Sequence, residues 1–103
     1  MEKVLNDAVD IIVKNFAPDK IILFGSHAVG TANQDSDYDL CVLKSSLQHK
    51  RKTFQDIYRA LVGLRFSVDL IVETPENFGE WKTNPFLIYG KIAEQGKVIY
   101  EKH

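Results

Sequence analysis

Three aspartates lie within five residues in the segment DSDYD, at Asp35, Asp37 and Asp39, and an apolar run follows them. On a β-strand, residues two apart project from the same face, so the side chains of Asp37 and Asp39 would point the same way. Two adjacent carboxylates repel each other unless a cation neutralises them, and carboxylate oxygens suit Mg²⁺ or Mn²⁺. The spacing therefore points to a divalent metal site.

A further carboxylate, Asp69, interrupts the apolar segment SVDLIV, where a charge that faced the core would be costly. If this segment is a strand beside the one that begins at Asp37, the three carboxylates Asp37, Asp39 and Asp69 can converge. A competing interpretation is that DSDYD is a solvated entrance to a strand and that Asp69 is a surface acid. The spacing of the acids alone leaves both interpretations open.

A Gly-Ser pair, Gly25 and Ser26, stands at the end of the apolar run IILF, with ten residues between it and Asp37. A strand end that leads into a helical turn presents backbone N–H groups and a hydroxyl, and glycine lets a phosphate approach the chain. A simple turn would also explain Gly25. However, phosphoryl transfer requires both a phosphate-binding corner and a metal-binding carboxylate cluster, and one strand connection holds both here.

Other phosphate and metal motifs fail on individual residues. An EF-hand loop that began at Asp35 would need glycine and glutamate where Leu40 and Ser46 stand. A P-loop would need a lysine after Gly30, which is followed by Thr31. A phosphatase with an Asp-x-Asp nucleophile would carry the pair at the end of an apolar strand, whereas here the apolar run follows the pair.

The composition describes one soluble globular domain over residues 1–103, with 45% hydrophobic residues and 13 basic against 14 acidic side chains. The balanced charge gives no overall field for nucleic acid, so we expect no direct nucleic-acid binding. No segment approaches the roughly 20 apolar residues that span a bilayer, and no signal peptide is recognisable. We therefore expect a cytoplasmic protein without a membrane partner.

The segments that would position these residues alternate between helix and strand. Apolar runs, several of them β-branched, predict four strands, over residues 21–24, 37–43, 67–72 and 97–100. Apolar spacings of three and four predict helices over residues 2–15 and 48–64. A helical turn is expected at 26–31, a turn or short helix after Thr74, and a last helix that Asn84 and Pro85 open. This order indicates an α/β (α+β) fold, a small mixed sheet of about four strands packed with helices.

The motif residues resemble the signature of the DNA polymerase β nucleotidyltransferase superfamily, in particular of its minimal nucleotidyltransferase (MNT) branch. That signature is Gly-Ser, ten residues and then Asp-x-Asp, which Gly25, Ser26, Asp37 and Asp39 match. The third carboxylate of the family, on a later strand, is similar in place to Asp69. The resemblance covers essentially the whole chain, and it implies the nucleotidyltransferase fold.

The resemblance also implies transfer of a nucleoside monophosphate, usually AMP, from ATP or another nucleoside triphosphate to a hydroxyl acceptor. Asp37 and Asp39 would hold two Mg²⁺ ions, or Mn²⁺, roughly 3.5 to 4 Å apart, and Asp69 would bind the metal on the acceptor side. Gly25 and Ser26 would bind the leaving pyrophosphate. MNT proteins are often antitoxins of helical HEPN partners, in some cases by adenylylating a tyrosine, which implies such a partner and acceptor here.

The chain departs from the family in its cationic residues. Many relatives carry arginines just after the Gly-Ser pair, where this chain has His27 and Val29. Lys44 or the basic run 49–52 could replace them, although a solvated helix face explains the run more simply.

Two classes of function stay open on the sequence. One is a Mg²⁺-dependent nucleotidyltransferase, and the other is a non-catalytic antitoxin that silences a helical partner by forming a complex with it. An aromatic group in the last third of the chain could form a docking surface or belong to the core. Its members are Phe78, Trp81, Phe86 and Tyr89.

Overall fold

The computed structural model describes residues 2–103, which form five α-helices and four strands. The helices are α1 (Lys3–Phe16), α2 (Ser26–Val29), α3 (Lys50–Leu61), α4 (Pro75–Trp81) and α5 (Ile88–Gln95), and a 3₁₀ turn, Val62–Leu64, follows α3. The strands are β1 (Lys20–Phe24), β2 (Tyr38–Leu43), β3 (Val68–Glu73) and β4 (Lys97–Glu101). Each end of the four predicted strands lies within one residue of the observed end.

The four strands form one mixed sheet in the order β3-β2-β1-β4. The central strand β1 runs antiparallel to both of its neighbours, whereas β2 and β3 run parallel to each other. Because β2 and β3 share a direction, the residues at their starts lie side by side at one edge of the sheet. The predicted α+β fold with a small mixed sheet is confirmed.

One face of the sheet packs against α1 and α3. Leu40 of β2 and Leu70 of β3 belong to this core, together with Ile12 of α1 and Ile57 of α3. α1 ends where Ala17 adopts a left-handed conformation with φ of 48°, and Pro18 follows it. Alternation along each strand sends the intervening side chains to the opposite face.

The second face of the sheet packs against α4 and α5. Cys41 and Leu43 of β2 meet Ile92 of α5 there, with Phe78 and Tyr89 packed against them. Burial raises the pKa of the Cys41 thiol to about 12, so this cysteine is a buried apolar group at neutral pH, as its place in an apolar run predicts. The sheet is therefore covered by helices on both faces.

The aromatic group of the C-terminal third divides between core and surface. The ring of Tyr89 contacts Phe78 edge-on at 5.8 Å and Trp81 at 5.7 Å between centroids, so these three rings pack together. Phe86 is 93% exposed. The core interpretation therefore holds for Phe78 and Tyr89, which pack against the buried cluster on this face. Trp81 is half-buried against Tyr89, and the docking interpretation is left for Phe86.

The start of the last helix differs from the prediction. α5 begins at Ile88, not at Asn84 and Pro85. The Asn84 side-chain oxygen instead accepts the Phe86 N–H at 2.9 Å, and its carbonyl accepts the Leu87 N–H at 3.2 Å. Asn84 thus stabilises a separate tight turn before the helix. An asparagine side chain can form such a turn as well as cap a helix.

The short helix after Thr74 is complete rather than a single turn. The Thr74 hydroxyl accepts the Asn77 N–H at 3.1 Å and Pro75 occupies the first helical position.

Over residues 2–103, no helix is both long enough and apolar enough to cross a membrane.

Candidate active site

Two of the predicted carboxylates meet at the edge of the sheet where β2 and β3 begin. Asp39 of β2 and Asp69 of β3 are direct partners in the parallel pairing. Their neighbours Tyr38, Leu40 and Leu70 are buried in the core under α1 and α3, so both acids point to the face that carries α5. The structure therefore brings Asp39 and Asp69 together, as adjacent strands would require.

The third predicted carboxylate, Asp37, lies just outside the strand. β2 begins at Tyr38, and Asp37 is exposed at the end of the preceding loop. The nearby Asp35 belongs to the loop itself, where its N–H donates to the Asn33 side-chain oxygen at 2.8 Å. Asp37 is close enough to Asp39 for its charge to act on that carboxyl group.

The electrostatic state of Asp39 reflects this crowding. Burial raises the pKa of Asp39 above its ordinary value, and the charge of Asp69, a hydrogen bond with Asp69 and the charge of Asp37 raise it further. His27 acts in the opposite direction. The cluster is thus short of positive charge, which is the condition that a bound divalent cation relieves.

The donor chemistry of this site fits a hard divalent cation. Asp39 and Asp69 supply carboxylate oxygens from adjacent positions, and Asp37 stands two residues from Asp39. Within residues 2–103, no three His, Cys, Asp or Glu side chains are already gathered closely enough to hold an ion. The fit therefore rests on the Asp39–Asp69 pair, and the part of Asp37 stays a prediction.

Gly25 lies directly against the Asp39 carboxylate. A Cβ atom at position 25 would stand 2.0 Å from Asp39 Oδ2 and 2.9 Å from its Cγ. The backbone of Gly25 has φ of 71° and ψ of −155°, a conformation that essentially only glycine adopts. A side chain at position 25 would therefore force the Asp39 carboxylate to move, and the backbone angles independently favour glycine.

The Gly-Ser turn is joined to the Asp-x-Asp segment by His27. The His27 ring stacks on Tyr38 with centroids 3.9 Å apart and planes 12° from parallel. Its Nε2–H donates to the Ser36 carbonyl at 3.0 Å, immediately before Asp37. His27 of α2 therefore contacts both Ser36 and Tyr38, the residues on either side of Asp37 in the chain.

Tyr38 is itself held from the other side. Its hydroxyl donates to the Glu2 carboxylate and its ring contacts Phe66 at 5.4 Å. Burial, followed by the hydrogen bond and charge of Glu2, raises the pKa of Tyr38 to about 12. Tyr38 stays neutral at physiological pH, so it acts as a support for His27 and not as a base.

A cavity of about 250 Å³ opens beside the carboxylates. The sheet contributes Phe24, Gly25 and Asp39 to it, and the opposite wall is formed by residues of α5. Those residues are Ile88, Lys91, Ile92 and Gln95. This candidate active-site cavity therefore lies between Gly25 and one face of α5.

The basic residues that the sequence suggested as replacements for arginine lie at the other end of the sheet. Lys50 bonds Glu73 at 3.0 Å, and Glu73 is in register with Leu43, four residues along β2 from Asp39. Because a strand rises by about 3.3 Å per residue, Leu43 lies about 13 Å from Asp39. The suggestion that Lys44 or the run 49–52 serves the phosphate site is therefore wrong.

Sequence reasoning missed Lys91, which lines the cavity from α5. Its one available signal was that Ile88, Lys91, Ile92 and Gln95 share a helical face at spacings of three and four. That signal becomes informative only when the helix is known to pack on the strand that ends at Gly25.

Comparison with known proteins finds a matching family model and a related sequence. Residues 6–103 match the family model described as Polymerase beta, Nucleotidyltransferase. A Methanocaldococcus jannaschii protein, provisionally named a protein adenylyltransferase, is 34% identical over 113 residues, which cover 98% of this chain and 75% of the relative.

Solved structures share the fold at lower identity. A toxin–antitoxin crystallised with AMP-PNP has a TM-score of 0.63 at 22% identity, over 95% of this chain and 73% of that one. A Sulfolobus solfataricus protein provisionally named a nucleotidyltransferase also reaches 0.63 at 17% identity, over 97% of this chain and 79% of that one. A mutant of the toxin–antitoxin MntA-HpeT reaches 0.55 at 21% identity, over 95% and 73%.

Proposed function

Because the chain belongs to the Polymerase beta nucleotidyltransferase family, we propose that this nucleotidyltransferase moves AMP from ATP to a tyrosine hydroxyl of a helical HEPN toxin. The toxin would be neutralised by the modification. The observation that carries the proposal is the in-register pair Asp39 and Asp69, of which Asp39 lines the cavity together with Gly25. The name of the M. jannaschii relative and the toxin–antitoxin neighbours support a protein acceptor.

The carboxylates have distinct parts in the proposed reaction. Asp37 and Asp39 would hold Mg²⁺ or Mn²⁺. Asp69 would be a further ligand of the metal on the acceptor side. Metal bound there supplies positive charge to the α-phosphate as negative charge builds up on it. Asp69 accepts the proton of the acceptor hydroxyl, either directly or through water.

The proposed transfer is a single displacement at the α-phosphorus of the nucleotide. The acceptor oxygen forms a bond to the α-phosphorus while the bond from that phosphorus to the oxygen bridging to the β-phosphate breaks. The products are an AMP ester of the acceptor and pyrophosphate. Gly25 and Ser26 would bind the pyrophosphate, because Gly25 leaves the backbone open to close approach.

A second function is favoured by one observation, the exposure of Phe86. This ring is 93% exposed, and the backbone N–H of Phe86 donates to the Asn84 side-chain oxygen. Aromatic residues are enriched at the cores of protein–protein interfaces relative to the rest of the surface. In this alternative the chain is an antitoxin that silences its helical partner by complex formation alone.

The deciding experiment is transfer of label from α-labelled ATP to a protein, with the product of the neighbouring gene present. The wild type is compared with Asp39→Asn and Asp69→Asn, and Asp35→Asn serves as the matched control because it removes a charge from the same loop. We expect label on the partner with the wild type and the control, and none with the two site variants or after chelation.

Equal labelling by the wild type and Asp39→Asn would contradict the assignment of the site. Neutralisation of the toxin by an Asp39→Asn variant that binds it normally would instead favour the complex-forming antitoxin. The same variants therefore serve for the labelling, binding and neutralisation measurements.

A further inference from the structure

The active-site cavity contains one cationic side chain among its described lining residues, Lys91 of α5. It faces Gly25 and Asp39 across the cavity. Among the ion pairs formed by residues 2–103, none includes Lys91, although Glu94 stands three residues further along the same helix. The ammonium group is therefore available to a ligand in the cavity.

Two other basic residues, His27 and Lys50, are held by contacts of their own. A nucleoside triphosphate brings several negative charges to an edge of the sheet that already carries Asp37, Asp39 and Asp69. The Nε2–H of His27 is directed to Ser36 and its ring is stacked, so His27 is committed to the loop. Lys50 is bonded to Glu73 at the far end of the strands.

The backbone of α5 is fixed, which sets Lys91 apart from an ordinary surface lysine. The Tyr89 hydroxyl donates to the Glu73 carboxylate at 3.2 Å, and Ile92 is 1% exposed against β1 and β2. A Cβ at Gly90 would stand 2.7 Å from the Lys82 carbonyl, and one at Gly96 would stand 2.6 Å from a methyl group of Ile22. α5 is thus packed closely at both of its ends.

We propose that Lys91 binds the polyphosphate part of the nucleotide, with its ammonium group on the non-bridging oxygens of the β- and γ-phosphates. This inference rests on the proposed function and deepens it. After transfer the same ammonium remains on the leaving pyrophosphate, where it stabilises the charge released as the bond to the α-phosphorus breaks. A lysine suits this position because its compact charge on a flexible stem follows the phosphates as they separate.

Equilibrium binding by the isolated chain tests the proposal without reference to transfer. Dissociation constants for ATP, AMP and pyrophosphate, each with Mg²⁺, are measured by titration calorimetry for the wild type, Lys91→Gln and Lys91→Arg. Lys82→Gln is the matched control, because Lys82 is an exposed lysine near α5 that does not line the cavity.

Lys91→Gln is expected to weaken binding of ATP and pyrophosphate about 10- to 100-fold, the range for one charged phosphate contact. Binding of AMP should change by less than about twofold, because AMP lacks the β- and γ-phosphates. Lys91→Arg should retain most of the affinity, and Lys82→Gln should match the wild type. Lys91 is exposed, so its replacement leaves the fold intact.

Wild-type affinity of Lys91→Gln for ATP, or an equal loss for ATP and AMP, would overturn the assignment of Lys91. Either result alongside normal label transfer by the wild type would leave the proposed function standing. A wild type that binds ATP through Lys91 but labels no protein would instead contradict the proposed acceptor and support this assignment. A wild type that binds neither ATP nor pyrophosphate would overturn both.

Discussion

Asp39 and Asp69 are direct register partners on the parallel strands β2 and β3, so two like charges stand side by side at the open edge of the sheet. Nothing in the α1 and α3 core requires an acid at either position, because both side chains point away from it. This repulsion is of the kind that a bound divalent cation would relieve.

Removing one of the two facing charges should stabilise the metal-free protein. Burial and the neighbouring carboxylates raise the pKa of Asp39, so the ionised group destabilises the fold as pH rises through that pKa. In EDTA at neutral pH, Asp39→Asn should raise the free energy of unfolding by about 0.2–1 kcal/mol, the scale of a cross-strand pair. Urea denaturation measures it, and the gain should shrink in acid.

The control for this prediction is Asp35→Asn, which leaves the Asp39–Asp69 pair intact and should change stability little. Added Mg²⁺ should stabilise the wild type more than Asp39→Asn. A metal-free Asp39→Asn variant less stable than the wild type would contradict the repulsion.

Gly25→Ala should be far more disruptive than Gly30→Ala. Both glycines have positive φ, at 71° and 83°, but a Cβ at Gly30 meets nothing within 4 Å. We expect Gly30→Ala to cost about 1–2 kcal/mol from backbone strain alone. Gly25→Ala adds the collision with Asp39 to a glycine-only conformation, and should cost about 1–3 kcal/mol more and abolish transfer.

A double-mutant cycle separates the collision from the strain. Asp39→Ala removes the carboxylate that a Cβ at position 25 would meet, so the combined variant with Gly25→Ala should be less destabilised than the sum of the two single variants. Additive effects would show that the backbone angles alone make Gly25 necessary.

Glu73 should stabilise the fold at neutral pH and lose that effect in acid. Burial, the largest influence, raises the pKa of this carboxyl group. Hydrogen bonds from Asn77, the Thr74 backbone and Lys50 outweigh it, so the net pKa is lowered. Stabilisation from a lowered pKa is complete above the unfolded-state value and disappears as pH falls through the folded-state value.

We expect Glu73→Gln to cost about 1.5–3 kcal/mol at pH 7, the range for hydrogen bonds to a charged group. Denaturation from pH 7 to pH 3 should show the difference from the wild type shrinking below the ordinary pKa of glutamate. A constant difference across that range would mean that shape, and not charge, explains the effect.

His27 should stabilise the fold through ring stacking and through one hydrogen bond. Two variants distinguish these two contributions. His27→Ala loses both, and we expect a cost of about 1–3 kcal/mol. His27→Phe keeps the ring on Tyr38 and loses only the donor to Ser36, so it should cost about 0.5–1.5 kcal/mol. Transfer rates should fall in the same order, because the loop before Asp37 loses its hydrogen bond to His27 of α2.

Thermal or urea unfolding measures the two costs, and a label-transfer assay measures the rates. Equal stability of His27→Phe and His27→Ala would show that the stacked ring contributes nothing. A transfer rate unchanged in both variants would show that His27 does not position the site.

The strands and the paired acids were predictable from the sequence because their signals are local or follow from alternation. The run from Ile21 to Phe24 is apolar on both faces, and the period of two assigns Asp39 and Asp69 to one face once their strands are neighbours. The family resemblance is confirmed by the match over residues 6–103.

The rest depended on tertiary packing. Asn84 and Pro85 resemble a helix start, and only the hydrogen bonds to Phe86 and Leu87 show a separate turn. Lys91 is one of 13 basic residues, and nothing in its local sequence marks it until α5 is placed over β1. His27 likewise gains its role from Tyr38 and Ser36, which lie across the loop.

The contact between Gly25 and Asp39 also limits the order in which a lineage could lose this motif. A substitution at Gly25 that arrives first meets both the carboxylate and the backbone angles, so the fold and the chemistry fail together. Under the proposed function, a substitution at Asp39 that arrives first would end transfer but relieve a repulsion, so the fold would persist. Inactive descendants of such a chain are therefore expected to keep the glycine and to have replaced the aspartate.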